Sequence, residues 1–414
     1  MYSQAMVNIL PRQAEQLLAQ MLESMPAVML SGPRAIGKST LARRFSASEL
    51  DLDDNSTLQR LEATNYAELD QMPKPVLIDE WQKSPKILSA VKRISDTSNQ
   101  KGLFVITGSA SSVIDEDVWP LVGRAAFLNI RPMTQAELND SRTPFSERLF
   151  LALAPGADSF DFSREQFIDC VAQSGYPSLI GVDFKLPIYA QLLTSIANNA
   201  IASESVSLGL QGYANKLTDF LKAVSLASGS LTTEQTILEV ASVSRPSAIK
   251  YDLALRKLGL TYQIPAFSHN DFSRLKKRHK TLMADTALMA ALNGWHKAMV
   301  LDKPELLGAL AETFVAQQLM PMVDSSFAKL SYFRTSAGDR EIDFMLELSE
   351  GLIPIEVKAR EAVYPRDAKH IQWFAKSSKD FKFGAVFYLG SELYELAKDI
   401  YAVPIASLWK MPVG

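Results

Sequence analysis

An α/β fold is predicted for this chain. It comprises a parallel sheet bearing a phosphate-binding loop, a helical middle, and a mixed α/β unit at the C-terminus. Three observations predict it. The octet Gly32-Pro33-Arg34-Ala35-Ile36-Gly37-Lys38-Ser39 fits the pattern G-x-x-x-x-G-K-[ST] in full. Short apolar runs of strand length stand before it at 27–30 and again at 75–78 and 103–106. Towards the other end, 341–348 and 352–358 alternate apolar with polar residues, the pattern of half-buried strands.

At 414 residues the chain exceeds one ordinary core, so roughly two or three domains or subdomains are expected. Boundaries fall at 1–140, 141–227, 228–300 and 301–414. With 47% hydrophobic and 21% charged residues the composition is that of a globular protein, not a disordered one. A net charge of −3 speaks against nucleic-acid binding by bulk charge, though not against a local basic patch. The single cysteine, Cys170, excludes an internal disulfide and a thiolate zinc cluster. The histidines are scattered without metal-ligand spacing. No secretory signal is visible, and no apolar run approaches the ~20 residues that span a bilayer. The expected location is the cytoplasm, away from membranes.

In the first domain, the run 27–30 reads as a buried strand and 39–45 as the start of a helix, the context a phosphate loop requires. Glycine lets backbone N–H groups curl around a β-phosphate, and the helix start adds a positive dipole end. The phosphate-contacting set is therefore Gly32, Pro33, Arg34, Ala35, Ile36, Gly37, Lys38, Ser39 and Thr40. Lys38 reaches the β- and γ-phosphates, and Ser39 offers its hydroxyl to Mg²⁺. Such a site needs a second acid. Val76-Leu77-Ile78-Asp79-Glu80 reads as a central strand with Asp79 at its carboxyl end, where ligands bind in open α/β sheets. Asp79 is the Mg²⁺ partner, and Glu80 is the base or water-orienting residue for hydrolysis. A third strand ends in Thr107-Gly108-Ser109, where Ser109 could touch the γ-phosphate or the attacking water; an ordinary strand-to-loop turn explains it equally. Arg124 is a candidate for stabilising transition-state charge from a neighbouring subunit, with a surface ion pair as the alternative.

These segments, in this order, resemble the bacterial and archaeal AAA-type ATPases that carry a C-terminal DUF4143 domain. The matching residues are 32–39, Leu52-Asp53-Asp54, the D-E-x-Q-x-x-P stretch from Asp79 to Pro85, Thr107-Gly108-Ser109, Leu121-Val122-Gly123-Arg124 and Ser174-Gly175-Tyr176-Pro177. Segments 308–312, 341–344 and 355–358 continue the match, so it covers nearly the whole chain. The stretch after Asp79 is its most discriminating part. Ser174 departs from the family, which more often has glycine there. The resemblance implies ATP binding with Mg²⁺, ATP hydrolysis and homo-oligomerisation. It implies no particular substrate.

Residues 141–163, with their prolines and serines, read as a loop-rich excursion. From 164 to 227 the pattern is helical and suits a lid over the nucleotide. Thr232 or Thr233 can cap a short helix ending near Val240. Ser244-Arg245-Pro246 starts another, with Ile249, Leu253 and Leu258 expected along its packed face. A strand at 260–264 follows, giving the outline of a winged helix. Its second helix could enter a DNA groove or serve protein docking, since Arg245, Lys250, Arg256 and Lys257 are spread around it. Arg274, Lys276, Lys277, Arg278 and Lys280 form a denser basic cluster, which suits phosphates or simply a solvated loop.

In the last domain, 304–319 reads as a helix with Leu307, Leu310, Ala311, Phe314 and Gln318 along its packed stripe and Glu312 beside it. In 341–348, Asp343 faces away from Ile342 and Phe344. In 352–358, Glu356 and Lys358 share the face opposite Ile355 and Val357. This segment resembles PD-(D/E)xK nucleases. The resemblance implies that Asp343 and Glu356 hold Mg²⁺, that Lys358 helps position or activate water, and that Glu312 completes the metal site. Acid–lysine alternation on an exposed hairpin face is the alternative, and folds of this type can keep binding without cleavage. The functional expectation is an ATPase coupled to a nuclease-like module, with DNA as its target. The alternative is a nucleotide-controlled interaction switch that docks a protein partner.

Overall fold

The computed structural model describes residues 10–108, 120–141, 159–205, 209–210, 212–229, 232–268, 278–335 and 338–412. The N-terminal sheet is all parallel. Its strands are β1 (Ala27–Ser31), β2 (Ser48–Asp51), β3 (Val76–Asp79), β4 (Phe104–Thr107) and β5 (Ala125–Asn129), in the order β2-β3-β4-β1-β5. Strands β1, β3 and β4 are near-continuous apolar runs because helices cover both faces. Alternation decides which core each residue joins. Val28, Leu30, Leu77 and Val105 face the core shared with the later domains. Met29, Ile78, Phe104 and Ile106 face Ile87, Val91 and Ile94 of the helix Ile87–Ser98. With β4 between β1 and β3, the ends of the loop strand, the acid strand and Thr107 lie side by side.

The middle of the chain is helical, as expected. Helices Arg164–Ala172, Pro187–Glu204 and Ala214–Ala227 come first, followed by Glu234–Ala241 and Arg245–Lys257. Thr233 caps one of the latter pair and Ser244 the other, each accepting a hydrogen bond from a backbone N–H three residues on. An antiparallel pair closes this region, β6 (Thr261–Ile264) with β7 (Lys280–Met283). Helix, turn, helix and hairpin thus follow one another along the chain.

The expected packed face of Arg245–Lys257 needs correction. Ile249 is 64% and Leu253 44% exposed, whereas Ala248, Tyr251, Leu255 and Leu258 are buried. Both sets obey helical spacing. Tyr251 decides between them by stacking against Phe220 of Ala214–Ala227, 5.9 Å between ring centroids.

The C-terminal sheet is mixed. It comprises β8 (Lys329–Arg334), β9 (Glu341–Leu348), β10 (Gly351–Lys358), β11 (Gly384–Tyr388), β12 (Tyr394–Ala397) and β13 (Ile400–Pro404), in the order β12-β13-β11-β10-β9-β8. Strands β8, β9 and β10 pair antiparallel, and β11 joins β10 in parallel. The helix Pro304–Asp324 runs past the expected end at 319, because Leu319 and Met320 still have core to fill. It is buried almost all round, not along one stripe, since it is wedged between the middle helices and β10. By length and composition it could also cross a membrane, contrary to the sequence expectation, yet 72% of its most apolar window is buried inside the fold.

Candidate functional site

Two clefts collect the residues singled out by the sequence. The first, about 470 Å³, opens over the phosphate loop. The loop's shape depends on Gly32, whose φ is 141°; a Cβ there would stand 2.2 Å from the Ile130 carbonyl oxygen. Behind the loop, Lys38 is only 9% exposed, and its ammonium donates to the carbonyls of Gly32 at 3.0 Å and Pro33 at 2.8 Å. Burial pushes its pKa down to about 8, against the opposing pull of Glu80 and Asp79.

Asp79 ends β3, 6% exposed, and accepts hydrogen bonds from Ser39 Oγ at 2.9 Å and from Thr107 Oγ1. Arg43 Nη2 lies 3.7 Å from its other oxygen. A hydroxyl and a carboxylate of this kind, side by side at the loop, are hard oxygen donors and suit Mg²⁺. Glu80 follows in the left-handed region, φ 57°, which turns the chain at the strand end. It lines the cleft and accepts a hydrogen bond from Gln82.

The far wall comes from residues that motif reasoning did not weigh as contacts. Leu10, Met133, Pro177 and Ile180 form an apolar side. Arg12 ties the wall to the loop by donating to the carbonyls of Ile36 at 3.0 Å and Arg131 at 2.6 Å, while pairing with Glu137 at 3.1 Å. The turn Ser174-Gly175-Tyr176-Pro177 sets Pro177 there. Gly175 passes so close to Met133 that a Cβ would meet the Met133 backbone nitrogen and oxygen at 2.4 Å. Ser174, the departure from the family pattern, has a structural use: its hydroxyl donates to buried Asp285 at 2.9 Å.

Arg124 sits at the opposite end of the sheet from its own loop. Its carbonyl accepts from Ala27 N at the start of β1, and its guanidinium pairs with Asp96. Ser109 lies outside the described residues.

The second cleft, about 450 Å³, brings together all four predicted C-terminal residues, Glu312, Asp343, Glu356 and Lys358. Antiparallel register sets Phe344 opposite Ile355, which makes Asp343 and Glu356 neighbours across β9 and β10. Asp343 accepts from Val357 N at 2.8 Å, and Lys358 donates to Glu356 at 2.7 Å. Glu356 is 5% exposed; burial, with the nearby Asp343, holds its pKa above the usual carboxylate range despite Lys358. Burial likewise raises Glu312, which Lys280 opposes. Lys280, read in the sequence as one of a basic cluster, also lines this cleft, as do Glu341 and His370, which sequence reasoning missed. His370 Nδ1 lies 3.8 Å from Glu356 and 2.6 Å from the Glu341 carbonyl. Among the described residues no three His, Cys, Asp or Glu side chains converge as a metal cage. The expected third metal ligand, Glu312, is instead engaged by Lys280.

Of the basic cluster, Arg274, Lys276 and Lys277 lie outside the described residues. Lys280 is not solvated but turned into the second cleft. On the second helix of the winged-helix outline, Arg245 pairs with Glu234 at 3.2 Å and Arg256 with Asp252 at 3.0 Å.

Comparison with known proteins divides the chain in three. Residues 24–139 match the AAA domain family, 164–298 a domain of unknown function (DUF8612), and 307–408 the domain of unknown function DUF4143. Two uncharacterized proteins, of Mycobacterium tuberculosis and Mycobacterium bovis, are each 25% identical over 403 residues, covering 95% of this chain and 83% of theirs. Among solved structures, a Walker-type ATPase of Pyrococcus abyssi is 16% identical with a TM-score of 0.39, covering 68% of this chain and 95% of its own. A DNA replication initiation factor is 13% identical with a TM-score of 0.25, covering 60% of this chain and 84% of its own.

Proposed function

Since one chain carries an AAA domain and, after it, a DUF4143 domain, we propose an ATPase whose nucleotide state governs a C-terminal pocket that acts on DNA phosphodiesters. The observation that carries the first half is that Lys38 and Ser39 line one cleft and that Asp79 accepts a hydrogen bond from Ser39 at its edge. Lys38 exchanges its loop carbonyls for β- and γ-phosphate oxygens. Ser39 and Asp79 would hold Mg²⁺, which when bound neutralises charge developing on the phosphates. The apolar side made by Leu10, Met133 and Ile180 suits the base of ATP. Glu80, at the mouth, orients the attacking water. Glu80→Gln keeps the shape and the hydrogen bond to Gln82 but loses the charge. Binding of ATP is expected to persist by calorimetry, while turnover falls on the order of 100-fold or more. Normal turnover would assign the water to another group.

The second half rests on the cluster of Asp343, Glu356, Lys358 and Glu312. Asp343 and Glu356 would hold a divalent cation, which supplies hydroxide and steadies charge at phosphorus. Lys358, bonded to Glu356, would position the attacking water. Incubation of plasmid and branched DNA with Mg²⁺ or Mn²⁺ tests this. The wild type is expected to cleave, and Asp343→Ala to lose cleavage. An intact substrate with the wild type leaves the pocket a binding site at most.

Assembly into homo-oligomers would place Arg124 near a neighbour's phosphates, the one route by which it meets ATP. A second reading, a switch that docks a protein, draws on Ile249 and Leu253, exposed where a DNA-reading helix would present cations. ATP turnover stimulated by DNA favours the first reading; turnover indifferent to DNA favours the second.

A further inference from the structure

The C-terminal pocket is not built from the C-terminal domain alone. Lys280 opens β7, on the hairpin that follows the helix Arg245–Lys257. Its ammonium crosses to Glu312 on the helix Pro304–Asp324 and lies 5.9 Å from the centre of the Phe344 ring. Only 12% of its side chain is exposed. Burial alone would pull its pKa down, but Glu312 and Asp343 outweigh that and keep it charged.

An ammonium has three protons to donate. Among the described residues, Glu312 is the hydrogen-bond acceptor Lys280 meets, so protons remain for an acceptor inside the pocket. A purely structural ion pair needs no such arrangement. A nearly buried cation with unused donors at a polar cleft of about 450 Å³ does have a use if an anion enters. The carboxylates of the pocket sharpen the point. Glu312, Glu341, Asp343 and Glu356 would repel a phosphodiester, and Lys358 is already bonded to Glu356.

We propose that Lys280 is a substrate-contacting residue of this pocket, a second cation supplied to a DNA phosphate by the hairpin of the middle region. This rests on the reading of the pocket as a phosphodiester site. Lys280 keeps Glu312 as its counter-ion and donates its remaining protons to a non-bridging phosphate oxygen. Entry of DNA therefore draws the hairpin and the C-terminal domain together on one ligand.

The test uses the full chain and a fluorescent duplex oligonucleotide, with anisotropy followed across a salt series. Lys280→Gln is expected to weaken binding on the order of 10-fold and to lower the slope of log affinity against log salt by about 0.9. Lys280→Arg keeps the charge and is expected to restore most of both. Because Lys280→Gln strands Glu312 without its counter-ion, the double variant Lys280→Gln with Glu312→Gln serves as a neutral, isosteric pair that removes the buried charge. It too is expected to lose the slope. Equal affinity and slope in wild type and both glutamine variants overturn the proposal and leave the pocket's reading standing. A wild type without affinity for DNA overturns that reading, and the proposal with it.

Discussion

Lys38→Ala is expected to abolish useful ATP affinity while leaving the fold in place. In the free protein the Lys38 ammonium rests on two loop carbonyls, and those carbonyls can turn to water when the side chain is removed. The cost to the fold is therefore small. The bound state is different. A triphosphate brings several negative charges beside Asp79 and Glu80, both of which line or border the same cleft. Without Lys38 the cleft loses the ammonium that sits behind the phosphate loop, and Arg12, which also lines the cleft, is already engaged with Glu137. Charge-assisted hydrogen bonds contribute about 1.5–3 kcal/mol each, so losing two weakens binding on the order of 100-fold or more. Calorimetry with ATP and ADP on wild type and variant checks this, with thermal melting as the fold control. Affinity within a few-fold of wild type would place the nucleotide elsewhere and remove the basis for every role assigned around the loop.

What the sequence made legible was local. The loop octet, the acid at the end of an apolar strand and the alternating pair near the C-terminus each carry their meaning within about ten residues. All of them stand where expected, and the four C-terminal residues share one cleft. The misreadings were tertiary. Ile249 and Leu253 have the right spacing for a packed face, but spacing cannot tell which of two overlapping stripes meets a neighbour; Phe220, in an earlier helix, settles it by meeting Tyr251. Arg12 looks like an ordinary surface charge, and Lys280 like one member of a basic cluster. Their roles depend on Glu137 and Glu312, which sequence distance hides. Asp285 did leave a signal, since an aspartate before Thr286 and an apolar helical run reads as an N-cap. That signal says nothing of its second set of partners.

Those partners connect the two clefts. Asp285 lies just beyond β7, the strand that Lys280 opens. One of its oxygens accepts from Leu288 N at 2.8 Å, capping the helix Thr286–Asn293. The other accepts from Ser174 Oγ at 2.9 Å and Gly175 N at 2.8 Å. Gly175 in turn accepts from Met133 N at 2.8 Å, and Pro177 packs at the edge of Gly37 in the phosphate loop. A short run of contacts thus leads from the ATP cleft to the hairpin that reaches the C-terminal pocket. It supplies a physical connection between them.

Asp285→Ala is expected to be the most destabilising substitution at either site. The carboxylate is 1% exposed and satisfies three donors, two of them backbone N–H groups. Burial raises its pKa while those donors oppose the rise, so the folded state holds this group at a cost that only its hydrogen bonds offset. Removing it leaves the donors facing apolar surroundings, and each unsatisfied group costs about 1–3 kcal/mol. The loss is on the order of 3 kcal/mol or more, read as a fall in the urea midpoint. Asp285→Asn, which retains one acceptor oxygen but turns an amide donor towards one set of donors, is expected to lose nearly as much. A midpoint unchanged in Asp285→Ala would mean that Ser174 and Gly175 find other partners. The turn that sets Pro177 beside the phosphate loop would then be held without Asp285, by Met133, Tyr189 and those new partners, and the connection between the clefts would lose its central link.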